Sequence, residues 1–225
     1  MHDFLFFAVL PYSSLAIFFL VTIQRYRQRT FTYTSLSSQF LENRWQFWAS
    51  VPFHYGILGV LALHAAGLLL PRALLAWNND LIRLYVLEVG SLGMALMALF
   101  GLVNIMLRRA RNPRLRAVTT FGDWVIYVLL LIQFLTGIAV ALFHGWGSSW
   151  FAVSLSPWLW SLFRLQPEVS FVAAMPLLVK AHIVNAFLLI AVFPFTRLVH
   201  ILVVPNQYLW RKTQVVLWNL SRTRS

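Results

Sequence analysis

The chain has 225 residues, of which 60% are hydrophobic and 11% charged, and its mean hydropathy is +0.73. A soluble domain carries about 25% charged residues, so the composition excludes an ordinary soluble fold and points to an integral membrane protein. The formal charge of +12 is not read as nucleic-acid binding, because membrane topology accounts for where the basic residues sit; with no cysteine, the chain itself has no disulfide, no covalent c-type haem attachment and no thiolate-held iron–sulfur cluster.

Five apolar runs approach the roughly 20 residues that a bilayer crossing takes. They extend from about Phe4 to Ile23, Phe47 to Leu70, Leu84 to Leu107, Trp124 to Phe143 and Met175 to Val199. A shorter apolar run, Trp150 to Leu165, is interrupted by Pro157 and reads as an interfacial helix with Trp158 and Trp160 at headgroup level. The first run has no Lys or Arg before it, unlike a cleaved signal peptide, and reads as a retained span. There is no internal repeat, so residues 1–225 read as one all-α membrane domain with a tail over about 204–225.

The basic residues orient these spans. Arg25, Arg27, Arg29 and Arg44 follow span one; Arg108, Arg109, Arg111, Arg114 and Arg116 follow span three; Arg197, Arg211, Lys212, Arg222 and Arg224 lie at or after the end of span five. The other side has only Arg72, Arg83 and Arg164, and Lys180 lies inside a span. The positive-inside rule then predicts an N-terminus outside, a C-terminus in the cytoplasm and a multi-pass protein of the cytoplasmic (inner) membrane.

Four of the six histidines fall within spans: His54 and His64 in the second, His182 and His200 in the fifth. These spans run antiparallel, so His54 shares a level with His200, near the inner face, and His64 shares one with His182, near the outer face. Facing imidazoles in a bundle suit six-coordinate haem iron, which takes two axial nitrogens. Eighteen residues return His200 to the face of His182 after about 27 Å of rise. The ten residues between His54 and His64 leave about 80° of rotation, so two stacked groups require splayed or tilted helices, and Pro194 can kink span five. The plain alternative is that each imidazole hydrogen-bonds a neighbouring helix. Zinc or copper fits less well, because no Cys, Asp or Glu lies within a turn of either pair.

The stretches "RYRQRTFTYTSLSSQFLENR", "FHYGILGVLALH", "RRARNPRLRAVTT" and "HIVNAFLLIAVFPFTRLVHILVVPNQYL", with histidine spacings of ten and eighteen, span almost the whole chain. In these the chain resembles the gamma subunit of membrane-bound respiratory nitrate reductase, a cytochrome b subunit. The resemblance implies two haem b groups, an outer one on His64 and His182 and an inner one on His54 and His200. It further implies quinol oxidation from the membrane quinone pool near the outer haem. Electrons would pass to a cytoplasmic iron–sulfur subunit and on to a molybdenum catalytic subunit. Arg83 stands where the family has a lysine linked to the quinol site, and the segment "WGSSWFAVSLSPWLWSLFRLQPEVS" matches the family poorly.

Other polar residues carry two readings each. Lys180 is a partner for a haem propionate, or it snorkels to the headgroups. Glu88 is a candidate acceptor for a quinol proton; the reading favoured from sequence is an ion pair with Arg83 or Lys180. Arg108 and Arg109 are topology signals with a second role in binding inner haem propionates or an acidic partner. Gly56 and Gly59 let a flat porphyrin approach the backbone, or they serve close helix packing. Two other functions compete: a cytochrome b subunit of another quinone-linked reductase, as in sulfur metabolism, and a transporter whose histidines relay protons.

Overall fold

The computed structural model describes residues 2–28, 46–196 and 198. In chain order the helices are α1 (His2–Gln28), α2 (Gln46–Leu69), α3 (Pro71–Asn78), α4 (Leu81–Arg111), α5 (Pro113–Ala117), α6 (Phe121–Phe143), α7 (147–163), α8 (Ser170–Ala173) and α9 (Leu177–Val192). Among the described residues there is no strand, and α1, α2, α4, α6 and α9 are long and apolar enough to cross a bilayer. This is the all-α, five-span membrane architecture expected from hydropathy. Within the bundle α2 packs on α4, α4 on α6, α6 on α9 and α9 on α1.

Local chemistry sets most boundaries. Span three is longer at both ends than its apolar run; at its start the Asp80 side chain accepts from the Arg83 backbone N–H and begins the helix early. Asn112 caps α5, with Pro113 at its first position. Thr120 and Asp123 form a reciprocal capping box at the start of α6. Span five is shorter than expected in the described residues. Pro194 has no N–H to continue the ladder, and the chain tightens into a 3-10 turn over Phe193–Phe195 before Thr196 becomes extended. The Arg25 guanidinium of α1 donates to the Pro194 carbonyl there.

Packing of α2 on α4 depends on bare backbone. A Cβ added at Gly56 would lie 2.6 Å from the Met94 carbonyl oxygen and 2.5 Å from the Ala98 nitrogen. One added at Gly101 would lie 2.4 Å from the Phe53 nitrogen. Gly59 faces the Met94 side chain. These glycines therefore serve close helix packing, the way apolar helices associate in lipid.

The interfacial helix expected at 150–165 is present as α7, but Trp158 is not at the headgroups. It is 1% exposed, edge-on to Phe7 and Phe187. The cause lies in α1. Pro11 cannot donate back to the Phe7 carbonyl, and the Trp158 indole N–H donates to it at 3.1 Å. Similarly, α2 stops before Pro71, and its Leu68 carbonyl accepts from Trp160 (2.9 Å) and Ser156 (3.3 Å) of α7. Thus α7 closes the arginine-poor end of the bundle by supplying donors to carbonyls left open by Pro11 and by the end of α2.

Candidate functional site

The histidine pair at the arginine-poor end is brought together. The rings of His64 and His182 have centroids 6.4 Å apart and planes 33° apart. Two imidazoles sharing one metal through nitrogens at about 2 Å each put their centroids roughly 6 Å apart. The geometry therefore fits bis-imidazole ligation. Among the described residues no third His, Asp or Glu joins them in a small-metal cluster, and two imidazoles are a donor set that haem iron accepts.

His64 is oriented through Nδ1, and His182 through both of its ring nitrogens. His64 Nδ1 lies 2.8 Å from the Val60 carbonyl one turn earlier, which makes Nδ1 the N–H and leaves Nε2 as the lone pair. Phe151 of α7 packs edge-on against the same ring at 5.6 Å. His182 Nδ1 lies 2.9 Å from Thr136 Oγ1, and its Nε2 lies 3.1 Å from Gln133 Nε2, both on α6. Gly137 makes room for this ring: a Cβ there would come within 2.9 Å of His182 Cε1.

The other pair is described in one member. His54 Nδ1 lies 2.7 Å from the Ser50 carbonyl and 3.2 Å from Ser50 Oγ, with Phe53 edge-on at 5.4 Å. His200 lies outside the described residues.

The other candidates take different partners from those expected. Glu88 forms no ion pair with Arg83 or Lys180 among the described residues. Its Oε1 accepts from the Ser148 backbone N–H (2.9 Å) and hydroxyl (2.7 Å), at the start of α7. Five residues is about 140° around a helix, so Arg83 and Glu88 do not share a face, whereas α7 presents unsatisfied N–H groups to a carboxylate. Asn78 of α3 donates to Ser148 and Ser149 and joins the same cluster. The Arg83 guanidinium lies over Trp77 at 5.6 Å. Lys180 Nζ pairs with Asp3 Oδ1 of α1 at 3.0 Å and sits over the Phe7 ring. At the opposite end Arg109 donates to Thr119 Oγ1 at 3.0 Å and lies over Tyr127, joining α4 to α6, while Arg108 occupies the last turn of α4.

Sequence reading missed Gln133, Thr136 and Gly137 as neighbours of His182. A signal was present: Gln133 and Thr136 are polar residues three apart, hence on one face, in an otherwise apolar span. Asn185, three residues after His182, belongs to the same group. It is buried and donates to the Leu129 carbonyl (3.0 Å) and to Gln133 Oε1 (2.6 Å).

Comparison with known proteins identifies the family. The family description "Nitrate reductase gamma subunit" matches residues 3–219. The nitrate reductase gamma chain of Bacillus subtilis is 33% identical over 90% of this chain and 92% of its own length. The respiratory nitrate reductase 1 gamma chain of Escherichia coli is 33% identical over 94% of this chain and 95% of its own. The respiratory nitrate reductase 2 gamma chain of the same organism is 31% identical, with the same two coverages. On this likeness and on its five-span fold, the chain belongs to the nitrate reductase gamma subunit family and is a membrane subunit of a nitrate reductase complex.

Proposed function

We propose that this chain is the membrane-anchoring dihaem cytochrome b subunit of a respiratory nitrate reductase. In this reading it oxidises a quinol at the arginine-poor side, facing outward. It delivers electrons to a cytoplasmic iron–sulfur subunit, and a molybdenum catalytic subunit reduces the nitrate. The observation that carries the reading is the His64–His182 pair, two imidazoles at ligation distance with their Nδ1 atoms committed elsewhere. When bound, the haems supply one-electron carriers between a two-electron quinol and a one-electron iron–sulfur partner.

The chain's own residues place and shield. His64 and His182 would hold the outer haem, and His54 and His200 the inner one. Phe151 of α7 packs edge-on against the His64 ring and would line one side of the outer haem. Glu88 is the candidate proton acceptor for the quinol: both Ser148 bonds fall on Oε1, and among the described residues Oε2 accepts none. Arg83 and Lys180 lie at the same end as cationic groups for a quinol oxygen or an outer propionate. Arg108 and Arg109 lie at the inner end for propionates or an acidic partner surface. Most arginines gather at that inner end, as a cytoplasmic docking face requires.

The test is a reduced-minus-oxidised visible spectrum of the purified protein, with haem quantified as pyridine haemochrome. Two b-type haems per chain are expected, with His64→Ala and His200→Ala each losing one. A colourless wild type from haem-replete cells refutes the reading and favours a proton relay. Quinol-dependent reduction with a partner other than a nitrate-reducing subunit favours a different quinone-linked reductase.

A further inference from the structure

The two ligand-bearing helices hold their outer histidines by different means, and the difference has a chemical consequence. His64 is fixed by a backbone carbonyl of its own helix, whereas His182 is fixed by side chains of α6. Donor and acceptor roles around His182 can be assigned from its surroundings. Asn185 contacts the Leu129 carbonyl, which only accepts, so the Asn185 atom there is its amide N–H. The same amide nitrogen donates to Gln133 Oε1, which turns the Gln133 N–H toward His182 Nε2. His182 Nε2 must then be an acceptor and carry the lone pair. From the other side, the Thr136 hydroxyl gives its proton to the Ile132 carbonyl at 2.7 Å, or to that of Gln133 at 3.2 Å. Its oxygen is left to accept from His182 Nδ1–H. Two independent chains of hydrogen bonds thus impose one tautomer, with N–H at Nδ1 and the lone pair at Nε2.

We propose that Thr136, Gln133 and Asn185 are positioning residues for His182. They preset its Nε2 tautomer in the iron-free chain, where the Gln133 N–H holds the lone pair that it would yield to iron, and through the Nδ1–H···Oγ bond Thr136 raises its basicity toward iron; this rests on the haem reading above. An acceptor on Nδ1–H makes the imidazole a stronger donor through Nε2 and favours the ferric state of the iron it holds. Loss of that acceptor therefore raises the reduction potential of the outer haem. A merely structural threonine would not do so.

The experiment is a potentiometric titration of both haems in the intact complex carrying Thr136→Val, which keeps shape and loses the acceptor. The outer haem's midpoint potential is expected to rise while the inner haem's stays put, with haem content at two per chain. Thr136→Ser, which restores the hydroxyl, is expected to return the potential toward wild type. Unchanged potentials in Thr136→Val with both haems bound overturn the inference and leave the haem reading intact. A wild type without haem, or a His182→Ala protein that keeps both, overturns the haem reading itself. A second readout needs no haem. Nitrogen-15 NMR of histidine-labelled full-length chain from haem-deficient cells should show His182 as the single Nδ1–H tautomer, and as a mixture in Thr136→Val. A mixture already in the wild type overturns the preset tautomer.

Discussion

Helices α2 and α9 each bring an imidazole to the arginine-poor end, and they hold it differently. On α2, His64 bonds to Val60 and His54 bonds to Ser50, each one turn earlier on the same helix. On α9, His182 depends on Gln133 and Thr136 of α6, and on a glycine there that leaves space for its ring. The α2 histidines are therefore oriented once their helix forms. His182 is oriented only when α6 and α9 pack in register. An imidazole fixed by local backbone is robust to tertiary change; one fixed by a neighbouring helix can be tuned by it.

The comparison can be broken first at the helix contact that carries α2. Gly101→Leu places a side chain where even a Cβ would lie 2.4 Å from the Phe53 nitrogen. Because backbone blocks the space, the cost exceeds the usual overpacking penalty of about 1–3 kcal/mol. The bundle should fail to accumulate in membranes, as quantified by immunoblot. Normal accumulation would mean that α2 and α4 can separate without harm.

A more selective break is Gly137→Val. Its Cβ would meet His182 Cε1 at 2.9 Å, while His64 on α2 keeps its Val60 bond. Displacing a packed ring costs roughly 1–3 kcal/mol. The protein should still fold but with its outer site displaced, so that haem content falls from two per chain toward one. If both groups were retained in full, the glycine would have no bearing on the site.

The smallest effect is expected from Asp3→Asn, which removes the Lys180 ion pair between α1 and α9. Both side chains are partly exposed, so the loss in thermal stability should be about 0–1 kcal/mol, measured by unfolding in detergent. A drop of several kcal/mol would show that the pair, rather than the Phe7–Trp158 contact and its hydrogen bond, holds α1 to the bundle.

Much of the architecture was legible in the residues. Apolar runs of bilayer length dictate spans, because an unpaired backbone group in lipid is costly and only a helix satisfies all of its own. The level match of His64 with His182 follows from antiparallel crossings. Caps at Asp80, Asn112 and Thr120 follow from side chains that accept from the first turn. What the residues could not reveal was lateral order around the bundle, since lipid-facing and helix-facing positions are equally apolar. Periodicity therefore did not place Trp158 in the core, and proximity in sequence misdirected Glu88 toward Arg83 instead of Ser148.

By itself the sequence determined a membrane chain of five spans, with His54 and His64 on the second and His182 on the antiparallel fifth, and a basic end opposite a sparse one. Only the tertiary structure decided that α6 stands beside α9, that Gln133 and Thr136 reach His182 with Asn185 behind Gln133, and that α7 caps the carbonyls left open by Pro11 and by the end of α2. The physical reason is the range of the forces involved. Hydrophobic length and backbone satisfaction act along one helix and are written in order along the chain. A side-chain hydrogen bond between helices depends on rotation and register, which close packing at residues such as Gly56, Gly101 and Gly137 sets in three dimensions.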